Sequence, residues 1–327
     1  MIDQICNTVL KGYAPWEVIF FLGVVAIALW VDLSAHKKDN AVSLTNAAVW
    51  SIIWVVLSVG FAGFIMKQHG VDKASLFLSG YLLEKSLSVD NLFVFMAIFS
   101  SFTIKDGLQH RILYFGILGA VVLRLVFVTA GTSLLFLGNW VLAVFGVFVL
   151  YSAWQMYKSE GGDDDEIVDY TDHWSVRIAK KFFPVHPQRV GNNFFTTKEN
   201  KLHATPLFLC LVAIEISDVM FAFDSVPAVI AITQEPFLVY TSNIFAILGL
   251  RSMYFVLVAA KRYLCHLEKS VIVILVFIGV KMLLTVSEPY HAIRITANQS
   301  LVFVLVCLVL GIAASVIYPE REATGEV

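Results

Sequence analysis

The 327-residue chain alternates long apolar blocks with short polar breaks. A helix rising ~1.5 Å per residue needs about 20 apolar residues to cross hydrocarbon. Counted that way, the pattern predicts nine spans, at about 16–33, 46–66, 75–102, 112–133, 139–157, 206–232, 238–260, 270–290 and 298–318. Only a short turn near Gly138 and Asn139 separates the fourth from the fifth. The expected fold is an all-α polytopic membrane protein, a single membrane domain over 1–327. With nine crossings, the two termini lie on opposite sides.

Composition agrees. Hydrophobic residues make up 58% and charged ones 15%, against roughly 45–50% and about 25% in ordinary globular chains. So large an apolar excess does not fit one buried core. The net charge of −2 singles out no partner beyond the lipid bilayer, and no nucleic-acid partner is expected. The four cysteines, Cys6, Cys210, Cys265 and Cys307, form no CxxC pair, and the two inside spans read as small hydrophobes. No cleavable signal peptide is expected, because the first 14 residues lack a basic stretch.

Orientation follows from where Lys and Arg fall between spans. One side carries Lys37, Lys38, Lys105, Arg111, Lys261, Arg262, Lys269, Arg321 and the basic residues of 158–205. The other carries Lys11, Lys67, Lys73 and Arg294. The richer side is expected to be cytoplasmic, in the bacterial inner membrane, with the N-terminus outside and the C-terminus in the cytoplasm. The connection 158–205 is then a cytoplasmic loop. It opens acidic, EGGDDDEIVDYTD, and closes basic through Arg177, Lys180, Lys181 and Arg189. Such a run reads first as solvated surface, and otherwise as a docking patch for a cytosolic protein or a weak cation collector. No role follows for the acidic run 163–166.

Two stretches break the apolar pattern from within. EKSLSVDNLFVF (84–95) sits in the third span and EISDVMFAFDSVP (215–227) in the sixth. With Asp90 laid over Asp224, Glu84 falls over Asp218 and Asn91 over Ser225, and the apolar tails run in step. The following spans agree, since Leu123-Arg124 corresponds to Leu250-Arg251. Three crossings separate the third span from the sixth, so the two run in opposite directions. That is a 3+3 inverted repeat, spans 3–5 (75–157) against spans 6–8 (206–290), with 298–318 as a final span. In such proteins the substrate site lies near the midplane, where the repeats meet.

Helix geometry shapes the expectation. On an unbroken helix Glu84 and Asp90 point ~120° apart and lie ~9 Å apart along the axis. Glu84, Ser88 and Asn91 share a face, as do Glu215, Asp218 and Ser225. Pro227 has no amide proton for the carbonyl of Phe223, so a kink is expected near Asp224.

The acids Glu84, Asp90, Glu215, Asp218 and Asp224 could be counter-ions for the bases Lys85, Arg124, Arg251 and Lys281. Energetics weigh against pairing as the whole explanation. A charge at a helix centre costs about 2.5–3.5 kcal/mol even on insertion scales, and ion pairs often fail to recover it. The eight histidines lie in loops or at span ends, so the donors at depth are oxygens. Carboxylate with amide and hydroxyl suits hard divalent cations such as Mn²⁺, Ca²⁺ or Mg²⁺ and suits Cu⁺ or Zn²⁺ poorly. Glu84, Asp90, Asn91, Glu215, Asp218, Asp224 and Ser225 are therefore the candidate metal ligands. Lys85, Arg124, Arg251 and Lys281 are supporting charges. No nucleophile–base set or cofactor motif is present, so neither an enzyme nor a prosthetic group is expected.

With these residues in view, the chain resembles the TerC family of integral membrane proteins, associated with tellurium resistance. The likeness is carried by LEKSLSVDNLFV (83–94), EISDVMFAFDSVPAV (215–229) and the following AILGLRSMYFVL (246–257). The resemblance implies a place in the LysE-like transporter group and relatives that act in Mn²⁺ export. It also implies tellurite resistance, with other tellurium-resistance proteins as partners at the cytoplasmic loop. The phenotype names an oxyanion, whereas the residues describe a cation site. The leading expectation is a divalent-cation exporter, Mn²⁺ first and Ca²⁺ second, with resistance arising indirectly. Direct tellurite efflux through Arg124, Arg251 and Lys281, or a scaffold acting through 158–205, are the alternatives.

Overall fold

In hydrocarbon, each backbone N–H and C=O must find its partner within the protein, so a chain of apolar blocks resolves into helices. The computed structural model describes residues 12–35, 44–104, 106–138, 140–160, 176–177, 180–181, 184–185, 191, 193–198, 201–260, 267–286 and 295–317. Asp90 and Asp224 are placed on helices, but their side chains lie outside the described residues, as do 163–166 and most of the 158–205 connection. The described helices are α1 (Pro15–Ala35), α2 (Leu44–His69), α3 (Val71–Ser101), α4 (Asp106–Leu134), α5 (Trp140–Glu160), α6 (Pro206–Ile232), α7 (Pro236–Ile247), α8 (Leu250–Ala260), α9 (Leu267–Val286) and α10 (Ala297–Ile317). A 3₁₀ turn at Leu135–Leu137 and Gly138 joins α4 to α5, at the expected place.

Seven of these helices are long and apolar enough to cross a membrane, or up to eight if the bent pair α7 and α8 is one span. The nine expected spans thus stand at seven to eight by this measure. The helix not among them is α3, which is 31 residues long but carries Glu84, Lys85 and Asp90. The surface is apolar: Ile19, Leu22, Ile27 and Trp30 of α1 point outward, as do Val302, Leu305 and Val309 of α10. The inside holds the charge, with Glu84, Arg124 and Asp218 all buried. This inversion of the soluble pattern is what a lipid solvent selects.

At the centre, α3 packs against α2, α6, α7 and α10, and α4 packs against α6 and α7. Outside this group α5 runs along α9. Two glycines bring that pair close: a Cβ on Gly146 would sit 3.2 Å from the carbonyl oxygen of Gly279, and one on Gly279 would sit 3.1 Å from that of Gly146. Small residues at a helix crossing are a usual route to tight packing in membranes. The chain ahead of α1 is anchored by Tyr13, whose hydroxyl donates to Glu235 Oε2 at 2.6 Å. Burial, then this hydrogen bond, pushes the Tyr13 phenol above its ordinary value, so it stays protonated and donates.

The membrane part is all helical, and in the 158–205 connection β1 (Phe195–Lys198) and β2 (Lys201–Ala204) form an antiparallel hairpin. Thr205 ties it to the start of α6, its hydroxyl donating to the carbonyls of Asn193 and Phe194 at 2.7 and 3.0 Å. α6 runs as one helix from Pro206 to Ile232 with Pro227 inside it, so the chain does not break at Asp224. A long apolar helix held by neighbours on several sides carries one missing hydrogen bond without breaking. Pro costs about 3 kcal/mol more than Ala inside a helix, so Pro227→Ala is expected to raise stability by up to that amount. Thermal unfolding in detergent checks it, and an unchanged midpoint would mean the proline is not strained.

The discontinuity lies instead in the seventh expected span. There α7 and α8 are bent by 45° at Leu248 and Gly249. Gly249 adopts φ +87°, a left-handed conformation open to glycine at little cost. A Cβ there would meet the indole ring of Trp54 on α2.

Candidate functional site

Four helices bring polar side chains to one buried junction. From α3 comes Glu84, fully buried, and from α4 comes Arg124, 1% exposed. From α6 come Asp218 and Ser225, and from α7 comes Asn243, all buried. Arg124 Nη1 lies 2.5 Å from Glu84 Oε1. The same nitrogen donates to Ser225 Oγ at 2.8 Å and to Asn243 Oδ1 at 2.7 Å. Asp218 Oδ1 is 3.8 Å from Nη2.

The donor count is informative. Nη1 carries two protons and faces three acceptors, and the aligned bonds go to the neutral pair Ser225 and Asn243. Glu84 keeps the short charge contact with the same nitrogen and has the Ser225 hydroxyl beside it. Oδ2 of Asp218 and Oε2 of Glu215 are buried with no hydrogen-bond partner among the described residues. Buried carboxylate oxygens without donors are costly, and each calls for an explanation. Glu215 lies one turn before Asp218 on α6, its carboxylate set against α4 where Gly119 has no side chain; a Cβ there would overlap it.

The remaining candidates divide. Asn91 is buried on α3, two turns from Glu84 on the same face. Lys85 donates to the carbonyl of Ala246 at 3.2 Å, so a cation caps the end of α7 beside the break. Lys281 donates to Ser300 of α10 at 2.9 Å. Arg251 Nη2 contacts both the carbonyl and Oδ1 of Asp32 on α1, each at 2.8 Å. Among the described side chains, then, Arg124 is the supporting charge placed on Glu84 and Asp218. Asp90 and Asp224 keep their places on α3 and α6, with side chains outside the described residues. No group of three or more His, Cys, Asp or Glu able to hold a metal occurs among the described residues.

Residues 69–323 match the family profile described as "Integral membrane protein TerC family". The chain belongs to the TerC family. It is 48% identical over 338 residues to the tellurium resistance protein TerC of Serratia marcescens, covering 96% of this chain and 97% of that one. It is 49% identical over 327 residues to the tellurium resistance protein TerC of Alcaligenes sp, covering 93% and 94%. The relative named Alx from Escherichia coli (strain K12) is 39% identical over 318 residues, covering 93% and 96%. No solved structure matches the chain.

Two buried polar residues of this TerC-family protein are not among the candidate residues. Asn243 belongs to Thr241-Ser242-Asn243, three fully buried polar residues in succession within an apolar helix. That triplet is the signal that could have found it. Asp32 lies inside the first expected span, an acid at membrane depth that pairing with Arg251 explains.

Proposed function

We propose that this membrane protein exports a divalent cation, Mn²⁺ first and Ca²⁺ second, through the junction of α3, α4, α6 and α7. One observation carries the reading: the carboxylates of Glu84 on α3 and Asp218 on α6 are buried against the same guanidinium, and Oδ2 of Asp218 and Oε2 of Glu215 have no hydrogen-bond partner among the described residues. They stand beside a hydroxyl and an amide oxygen. Such donors suit a hard cation that sheds its water for oxygen ligands. Glu84 and Asp218 are ligands, Asp90 and Asp224 are central ligands by their matching places on α3 and α6, and Glu215, Asn91 and Ser225 complete the set. Buried carboxylates that release a cation need another positive charge, which makes protons the exchanged ion. Uptake insensitive to an imposed pH gradient would remove that part.

The inverted repeat supports the same reading. If α3–α5 are exchanged for α6–α9, with α7 and α8 taken as one broken span, the α3–α7 packing maps onto that of α6 with α4. Both pairs are in contact. The mutual approach of Gly146 and Gly279 is the reciprocal contact that a two-fold axis between α5 and α9 would create. Counted with α3 and the bent pair, the spans number nine. The N-terminus is then outside, and the C-terminus and the 158–205 loop are in the cytoplasm of a bacterial inner membrane. Direct tellurite efflux draws no support from the geometry, because Arg124, Arg251 and Lys281 are each held by a different partner.

The test is total cellular Mn, Ca and Te by elemental mass spectrometry after loading with Mn²⁺ or tellurite. Wild type is expected to lower Mn at least threefold against cells lacking the protein, while Asp218→Asn and Asp90→Asn are not. A fall in Te alone would favour the oxyanion. Tellurite resistance with no change in either element, lost on deleting 158–205, would favour a scaffold for other tellurium-resistance proteins.

A further inference from the structure

Arg124 poses a difficulty for any cation site at this junction. Its guanidinium stands between Glu84 of one half and Asp218 of the other, at 2.5 and 3.8 Å. A divalent ion bound to those carboxylates would lie within a few ångströms of a fixed positive charge, in surroundings that screen the repulsion weakly. Both cannot hold the acids at once.

The neighbours supply the answer. Ser225 Oγ and Asn243 Oδ1 already accept from Nη1. Asn243 is pinned by its own amide, Nδ2 donating to the carbonyl of Val239 at 2.8 Å, which aims its oxygen at Arg124. The guanidinium thus has two neutral acceptors beside two charged ones. Its Nε proton is buried with no partner among the described residues, so the head is not locked on every side. We propose that Arg124 is a tethered competitor of the transported cation: it holds the carboxylates of Glu84 and Asp218 together with the neutral oxygens of Ser225 and Asn243 when the site is empty, and keeps only the neutral oxygens when the ion is bound. The proposal rests on the cation-transport reading above. When the ion arrives, Arg124 yields the acids and stays on Ser225 and Asn243. When the ion leaves, Arg124 returns and balances one carboxylate, and the exchanged proton takes the remaining charge. Because Arg124 belongs to α4 and its partners to α3, α6 and α7, the exchange joins both halves of the fold. The competitor weakens equilibrium binding and speeds release.

The experiment uses the full chain in nanodiscs and in proteoliposomes. Mn²⁺ binding is read from loss of the free-ion electron paramagnetic resonance signal, and transport from Mn²⁺ flux. Arg124→Gln is expected to bind Mn²⁺ at least tenfold tighter than wild type and to transport it at least tenfold more slowly. Millimolar guanidinium chloride is expected to return the binding of Arg124→Gln towards wild type and to leave wild type unchanged, which a merely structural arginine would not produce. Glu84→Gln reports whether the bound ion is at this site, since its binding should be lost. Should Arg124→Gln fail to give a single size-exclusion peak, Arg124→Lys takes its place, with a smaller tightening expected because its compact charge reaches the acids less well. If wild type binds Mn²⁺ but the Arg124 variant binds it equally or more weakly, the competitor role is overturned and the transport reading stands. If neither binds, the transport reading itself falls.

Discussion

Glu84→Ala is expected to destabilise the protein by about 3–5 kcal/mol, the usual cost of removing one partner from a buried ion pair, and, on the function proposed above, to abolish cation transport. Glu84 is fully buried and Arg124 is 1% exposed, so water cannot replace the lost charge. Asp218, at 3.8 Å, is too far to take over with an aligned hydrogen bond. The matching double variant separates structure from function. Glu84→Met with Arg124→Met removes both charges together, and apolar replacement of a buried pair is often neutral or better. Its thermal unfolding midpoint in detergent should return towards wild type while Mn²⁺ flux stays absent. If Glu84→Ala unfolds at the wild-type temperature, the carboxylate and guanidinium do not form the pair described here.

A comparable loss should follow from a position with no charge. Gly249→Ala places a Cβ on a residue at φ +87° and drives it into the ring of Trp54. The left-handed backbone costs an L-residue roughly 1–2 kcal/mol, and overpacking a filled interior costs typically 1–3 kcal/mol. The sum is about 2–5 kcal/mol, read as a lower unfolding midpoint. Adding Trp54→Ala should relieve the collision but leave the backbone strain. A double variant that recovers nothing would mean Trp54 is not the obstacle. Because Lys85 donates to Ala246 next to the bend, Gly249→Ala should also displace that contact and reduce flux.

Much of the chain's organisation is legible without a structure. Apolar blocks near 20 residues are a direct consequence of bilayer thickness, so the helices and most of their ends emerge within a few residues, including the turn at Gly138. The family is legible from 83–94 and 215–229, and the profile match over 69–323 agrees. The acids stand out because charge at membrane depth is rare. Less legible is what each charge meets. Arg124 and Arg251 occupy corresponding places in sequence, yet one lies on Glu84 and the other on Asp32. Pro227 lies inside an unbroken α6, whereas the break that the sequence did not announce falls at Gly249, where the left-handed backbone and the indole of Trp54 coincide.

The sequence by itself determined a helical membrane protein of the TerC family with acids buried in two of its helices, because hydrophobic period and span length are local properties of the chain. Only the tertiary structure decided that Arg124 joins Glu84, Asp218, Ser225 and Asn243, partners as far as 119 residues apart. Such contacts depend on which helix faces turn together, and a helix buried on most sides leaves no amphipathic stripe from which its orientation could be read.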